Sequence, residues 1–187
     1  MKNSVFIFFL IILVCIGCGG EEVLPRPKAM LRLTFPAPEY SKWNDGCAYT
    51  FMANTLSEPE KKEECSMVLN YPMMKASVFI TYKKVNNNLT TLLRDAQKLS
   101  YEHVVKADNI IEQPYINEQK RVYGMFYEVT GNAASQSQFY ATDSLRHFVT
   151  GSLYFYAKPN YDSIYPAAIY LQKDIRRILE TLEWDND

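Results

Sequence analysis

The sequence predicts an α+β fold, a largely antiparallel sheet flanked by helices, and three observations carry that expectation. The C-terminal half holds three β-branched and aromatic runs separated by short turn signals, the pattern of an antiparallel meander. Two stretches, 89–111 and 166–182, space their apolar residues by three and four, the period of an amphipathic helix. The 14 Tyr and 10 Phe stand beside only 7 Gly, an aromatic enrichment that favours strands over an all-helical bundle. The 187 residues allow one domain with a short appendage. Hydrophobic residues at 48% and charged residues at 22% exclude a disordered chain. The 20 basic side chains are scattered among 21 acidic ones, so the electrostatic footprint of a nucleic-acid binder is missing.

The chain opens on MKNSVFIFFLIILVCIGCGG, in which Lys2 precedes twelve apolar residues from Val5 to Ile16. Twelve residues are too few to cross a bilayer core of about 30 Å, which takes about 20 in a helix. Residues 1–17 therefore read as a secretory signal peptide. The ending Ile16-Gly17-Cys18 resembles the lipobox of bacterial lipoproteins, with Cys15 where that pattern usually has Leu. It designates Cys18 as the lipidated residue; the alternative is an ordinary signal peptide without lipid. Cleavage before Cys18 removes only Lys2 of the 20 basic residues, leaving 19 against 21 acidic and a formal charge of -2. Two or more acyl chains make membrane attachment stable, since each buried methylene contributes about 0.8 kcal/mol. Residues 18–28 then form a polar, Pro-containing tether, and 29–187 a single α+β domain.

Within that domain, 30–35 and 48–52 are short β-leaning runs. Cys47 and Cys65 form an even pair in a chain that folds outside the cytoplasm, which predicts one disulfide rather than a metal or catalytic thiol pair. The EPEKKEE run between them reads as a solvated loop. Segment 67–85 is β-rich and split by Pro72. Asn86, Asn87 and Asn88 break the pattern ahead of a helix over 89–111 that ends near Pro114. The meander follows as 121–129, 137–142 and 147–156, with 131–134 as a hairpin connection. The last helix spans 166–182, with Pro166 in its first turn, where a missing N–H costs nothing. Trp184 closes the domain.

Chemistry is sparse. There are two histidines, His103 and His147, and the HEXXH, GXSXG and P-loop patterns are absent, so no metal, cofactor or catalytic centre is expected. The most suggestive cluster is Asp143-Ser144-Leu145-Arg146-His147. A hydrolase would use Ser144 as nucleophile and His147 as base. The competing reading is a polar turn in which Asp143 or Ser144 binds backbone amides. Alternation along the meander sends aromatic residues to both sheet faces, which marks Tyr123, Tyr127, Phe139, Tyr154 and Tyr156 as a candidate interaction surface.

The run VYGMFYEVTGNAASQSQFYATDSLRHFVTGSLYFYAKPNYDSIYP resembles the C-terminal half of the gliding-motility lipoprotein GldD family of gliding Gram-negative bacteria. VNNNLTTLLRDAQKLSYEHVVKAD and PRPKAMLRLTFP extend the resemblance over nearly all of the mature chain, with Ala29-Met30 where a Gly-aromatic pair is more usual. The resemblance implies a cell-envelope protein required for gliding, coupled to type 9 protein secretion and carrying no recognised catalytic residues. Its expected role is that of a non-enzymatic scaffold or stabilising component, lipid-anchored in the outer membrane and facing the periplasm or the cell surface. The partners implied are other gliding-motility lipoproteins and secretion-machinery components. The alternative is an envelope hydrolase or a small-ligand carrier. The element order is also similar to a PsbP/Mog1-like α/β/α sandwich, an analogy of fold alone. Asp143-Ser144-Leu145 and Asp162-Ser163-Ile164 resemble the Asp-(Ser/Thr)-apolar O-glycosylation signal of exported proteins in these bacteria. They make Ser144 and Ser163 candidate glycan acceptors; the plain alternative is that Asp143 forms a turn and that Asp162 or Ser163 caps the last helix.

Overall fold

In a computed structural model, residues 33–101, 106–156 and 160–185 are described. Among the described residues the fold is α+β, with ten strands in two antiparallel sheets and two α-helices. The strands are β1 (Tyr40–Trp43), β2 (Tyr49–Asn54), β3 (Glu58–Lys61), β4 (Met67–Tyr71), β5 (Ala76–Lys84), β6 (Ala107–Asn117), β7 (Val122–Gly131), β8 (Ser137–Thr142), β9 (His147–Phe155) and β10 (Glu183–Trp184). Helix α1 (Leu89–Tyr101) joins β5 to β6, and α2 (Tyr161–Thr181) follows β9. The larger sheet has seven strands in the order β3-β4-β5-β9-β8-β7-β6; β1, β2 and β10 form a small second sheet.

Strand alternation explains which face is which. In β5, Ala76, Val78, Ile80 and Tyr82 are buried, while Phe79, Thr81 and Lys83 point the other way and are exposed. The same parity puts Phe126, Phe139, Val149 and Leu153 on the buried face, where they join Leu171, Ile175, Ile178 and Leu179 of α2 and Phe51 of β2 in one core. Phe139 pairs with Gly151, and a Cβ there would lie 2.0 Å from the Phe139 ring, so only glycine lets that ring lie flat on the strand. Polar side chains tie α2 down. Asp174, 1% exposed, accepts from Tyr40 Oη and Asn54 Nδ2, each at 2.7 Å. Burial outweighs those bonds and holds its carboxyl above the ordinary 3.8. Arg176 pairs with Glu128 at 2.8 Å and lies 4.5 Å from the Phe126 ring centroid.

Several elements differ from their sequence expectations. The helix expected over 89–111 is assigned only to Tyr101, and Ala107–Asn117 is strand β6, paired along almost its whole length with β7. Ile110 and Ile111 suit a strand, and Pro114 is tolerated because β6 is an edge. The EPEKKEE run is not all loop: β3 takes Glu58–Lys61, every residue exposed, held by backbone pairing with β4. Strand β1 was not expected, and 33–35 are not in a strand. Helix α2 starts at Tyr161, so Pro166 lies inside it rather than in its first turn. Both edge strands of the large sheet thus carry a proline, Pro59 and Pro114. A proline cannot donate to an added strand, so both edges resist strand addition.

Candidate functional site

The turn on which the hydrolase alternative rests is a structural corner. Asp143 Oδ1 accepts from the backbone N–H groups of Leu145 (3.0 Å), Arg146 (2.8 Å) and His147 (2.8 Å). Burial alone would raise the Asp143 carboxyl; the three amides outweigh it and hold the group below the ordinary 3.8. Ser144 sits at the exposed tip with a φ of 67°, its amide donating to Thr142 Oγ1 at 3.0 Å. His147 is buried behind the turn, its Nδ1 2.8 Å from Tyr82 Oη and its ring stacked on Trp184 at 5.3 Å. Tyr82, tilted against the His147 ring at 6.0 Å, stacks in turn on Tyr49 at 5.7 Å, and Tyr49 Oη donates to the Cys65 carbonyl at 2.7 Å. Cys47 and Cys65 are disulfide-bonded as expected, with Cα atoms 5.7 Å apart. The turn reading of Asp143 therefore holds, and His147 serves the packing of this corner.

The five predicted surface aromatics divide between the faces. Phe139, 2% exposed, belongs to the core beneath α2, and Tyr127, 1% exposed, is buried on the opposite face, so neither offers a surface. Both lie in central strands, where packed neighbours cover either face. Tyr123 and Tyr154 are half-buried on the α1 side, and Tyr156, just past β9, is 66% exposed.

Register defines the surface that remains. Ser77 pairs with Tyr154, Phe79 with Ser152, and Ser152 with Gln138, so these residues share the face on which α1 packs through Ser100 Oγ to Gln138 Oε1 at 2.9 Å. Helix α1 contacts β8 and β9, so the β4–β5 flank lies beside the helix rather than beneath it. On that flank Phe79, 39% exposed, meets Tyr154 edge-on with centroids 5.6 Å apart. Ser77 Oγ donates to Asn70 Oδ1 at 2.6 Å and lies 2.7 Å from Tyr156 Oη, which fixes the Tyr156 ring against the sheet. The result is a firm, half-apolar patch of three rings over a hydroxyl and an amide. Sequence reasoning missed Phe79, Ser77 and Asn70; the alternation Ser77, Phe79, Thr81 was the signal that could have found them.

Cys18, residues 1–28 and His103 lie outside the described residues. Ser163 and Asp162 are exposed in the first turn of α2. Neither is the cap: that position is Asn160, whose backbone carbonyl accepts from the Ser163 amide at 3.0 Å. No helix among the described residues is long and apolar enough to cross a membrane. A family model described as gliding motility lipoprotein GldD matches residues 20–184, nearly the whole chain. Comparison with curated proteins returns no match.

Proposed function

This chain belongs to the gliding motility lipoprotein GldD family, and from that premise we propose that it is a non-enzymatic scaffold or stabilising component of the gliding and type 9 secretion machinery. Cys18 carries the lipid, which holds the domain on the outer membrane facing the periplasm. The folded domain docks other gliding lipoproteins or secretion components through the Phe79, Tyr154 and Tyr156 patch.

The observation that carries this reading is the unequal use of the sheet. Its edges are blunted by Pro59 and Pro114, whereas the β4–β5 flank presents aromatic rings held in place by Ser77 and neighbouring side chains. Rigid aromatic rings with a polar tip suit protein interfaces, because little side-chain freedom is lost on binding. Exposed Ser144 and Ser163 are also accessible acceptors for the sugar their local motifs suggest, one at a turn tip and one on the first turn of α2. The test is crosslinking in intact cells followed by mass spectrometry of what purifies with the lipoprotein. Gliding or secretion components are expected, and their yield falls in Phe79→Ser/Tyr156→Ser at unchanged protein level. Recovery of the wild-type chain only as an uncrosslinked monomer refutes the scaffold.

A further inference from the structure

One end of the large sheet gathers positive charge. Tyr123 of β7 pairs with Thr142 of β8, so the β6–β7 turn carrying Lys120 and Arg121 emerges beside the β8–β9 turn carrying Arg146. Strand β10 closes a third side: Trp184 Nε1 donates to the Arg121 carbonyl at 2.9 Å, and the indole stacks on His147. Between these segments lies a cleft of about 260 Å³, whose lining includes Lys120, Arg121, Arg146, Asp143, Glu183 and Trp184.

The two acids of this lining are already engaged. Asp143 Oδ1 accepts from three backbone amides of its own turn. Glu183 pairs with Lys120 Nζ at 2.9 Å and with Lys42 Nζ at 3.3 Å. The arginines are not engaged: among the described residues neither Arg121 nor Arg146 has an ion pair, and both side chains are exposed. Lys42, Lys120, Arg121 and Arg146 therefore stand against Asp143 and Glu183, four cations to two acids. Arg121 also has a φ of 51°, in the left-handed region where a bulky side chain is costly and Gly, Asn or Asp is the usual residue. A long cation held in that conformation points to a use for its charge.

Size and donor chemistry restrict the occupant. Pockets for whole organic ligands run to about 300–1,000 Å³, so a cleft of about 260 Å³ suits one small group. Each guanidinium presents five N–H donors in a planar fork that matches the oxygens of a carboxylate or a phosphate. A carboxylate brings a single negative charge. A phosphate monoester brings about two, on three acceptor oxygens, which matches the excess of cations and the two forks. We propose that this cleft binds a phosphate group, either free phosphate or the monoester phosphate of a lipid headgroup. Arg121 and Arg146 donate to its terminal oxygens from the two turns, and Lys120 adds charge beside them. Trp184 acts as a positioning residue, holding the Arg121 turn through its indole N–H.

The experiment is calorimetric titration of the full-length lipoprotein in dodecyl maltoside and a phosphate-free buffer. The probes are inorganic phosphate and glycerol 3-phosphate, the headgroup of phosphatidic acid without its chains, with acetate at equal ionic strength as the carboxylate control. At least one phosphate probe is expected to saturate and to bind at least tenfold more tightly than acetate. Tighter binding of glycerol 3-phosphate assigns the site to a lipid headgroup; tighter binding of inorganic phosphate assigns it to the free anion. Affinity should fall at least tenfold in Arg146→Ser and in Arg121→Asn, which keeps a residue suited to the left-handed backbone. Each variant is checked for an unchanged unfolding midpoint, and Lys173→Ser, exposed on α2, should bind as the wild type does. Failure of both phosphate probes to saturate overturns the proposal, as does binding that survives both arginine substitutions, that acetate matches, or that Lys173→Ser weakens equally. Saturation seen only after deletion of residues 186–187 would give the cleft to the chain's own terminal carboxylates and overturns it as well. Phe79→Ser, on the β4–β5 flank, should leave phosphate binding intact, so this site and the scaffold reading fail separately.

Discussion

Against one side of the seven-stranded sheet lie the 21-residue α2 and a second sheet, whereas the other side carries the 13-residue α1 laid over β8 and β9. The first side is closed by Leu171, Ile175, Ile178 and Leu179, all at most 1% exposed, and by the bonds around Asp174. The second leaves Phe79 and Tyr156 at 39% and 66% exposure. Burial stabilises in proportion to apolar area removed from water. The α2 side therefore holds the fold together, and the β4–β5 flank stays open to solvent.

The largest effect is expected on the α2 side. Ile175→Ala deletes methyl groups from a site with no solvent access, and the loss of transfer energy plus the cavity left behind costs about 3 to 4 kcal/mol. Chemical denaturation of the two proteins measures it. A cost below about 1 kcal/mol, the range of an ordinary surface substitution, would mean that the α2 side is not where the stability lies.

The disulfide comes next. Cys47 and Cys65 are 18 residues apart, and removing a bridge over a loop of that size destabilises by about 3 kcal/mol in the chain-entropy account. Cys47 precedes β2 of the small sheet and Cys65 precedes β4 of the large one, so the bridge ties the two sheets together. Paired Cys47→Ala/Cys65→Ala should unfold at lower denaturant than the wild type. Protein taken from the envelope should also yield one linked peptide before reduction; two freely alkylated thiols would contradict it.

Asp143 and Asp174 give a sharper contrast at about 2 kcal/mol each on replacement by Ala, from the donors each would leave unpaired. Asp143, held below 3.8 by three amides, contributes stability above that pH and loses it as the pH falls through its folded value. Asp174, held above 3.8 by burial, does the reverse: its contribution is complete below 3.8 and declines as the pH rises through its raised value. Between neutral pH and the acid range, the penalty of Asp143→Ala should shrink and that of Asp174→Ala should grow. Parallel pH profiles for the two variants would remove the distinction.

How much of this was legible follows from range. The strands of the meander and the core of α2 were visible because each is a local pattern, RVYGMFYEV in period two and Ala168, Leu171, Ile175 and Leu179 in period three to four. The even cysteine count pointed to the bridge in the same way. Strands β1 and β3 were invisible: YSKW and EPEK have no apolar alternation and are strands only because Asn54 and Asn70, among others, pair with them. The helical spacing around α1 appeared to run on into β6, whose state is set by pairing with β7. The packing role of His147 was not legible, because its hydrogen-bond neighbour Tyr82 is 65 residues away in the chain. Alternation could place Phe79 and Tyr127 on the α1 side; only the packing of α1 and the neighbouring strands decides that one is exposed and the other sealed.

The smallest stability effect is the one that tests the comparison most directly. Phe79 keeps over a third of its surface in water, and its packing partner Tyr154 is itself half-buried, so truncation opens a dent on the surface rather than an internal void. Phe79→Ala should cost under about 1 kcal/mol, against the several expected at Ile175. If the flank serves recognition, that stable variant should still lose crosslinks to the gliding machinery, because aromatic anchors concentrate binding energy in a few residues. The informative outcome is the pair of measurements. A variant that is stable and poorly crosslinked separates the recognition face from the folding face. A variant as unstable as Ile175→Ala would make the flank part of the core, and one that is stable with undiminished crosslinking would move the interface away from β5.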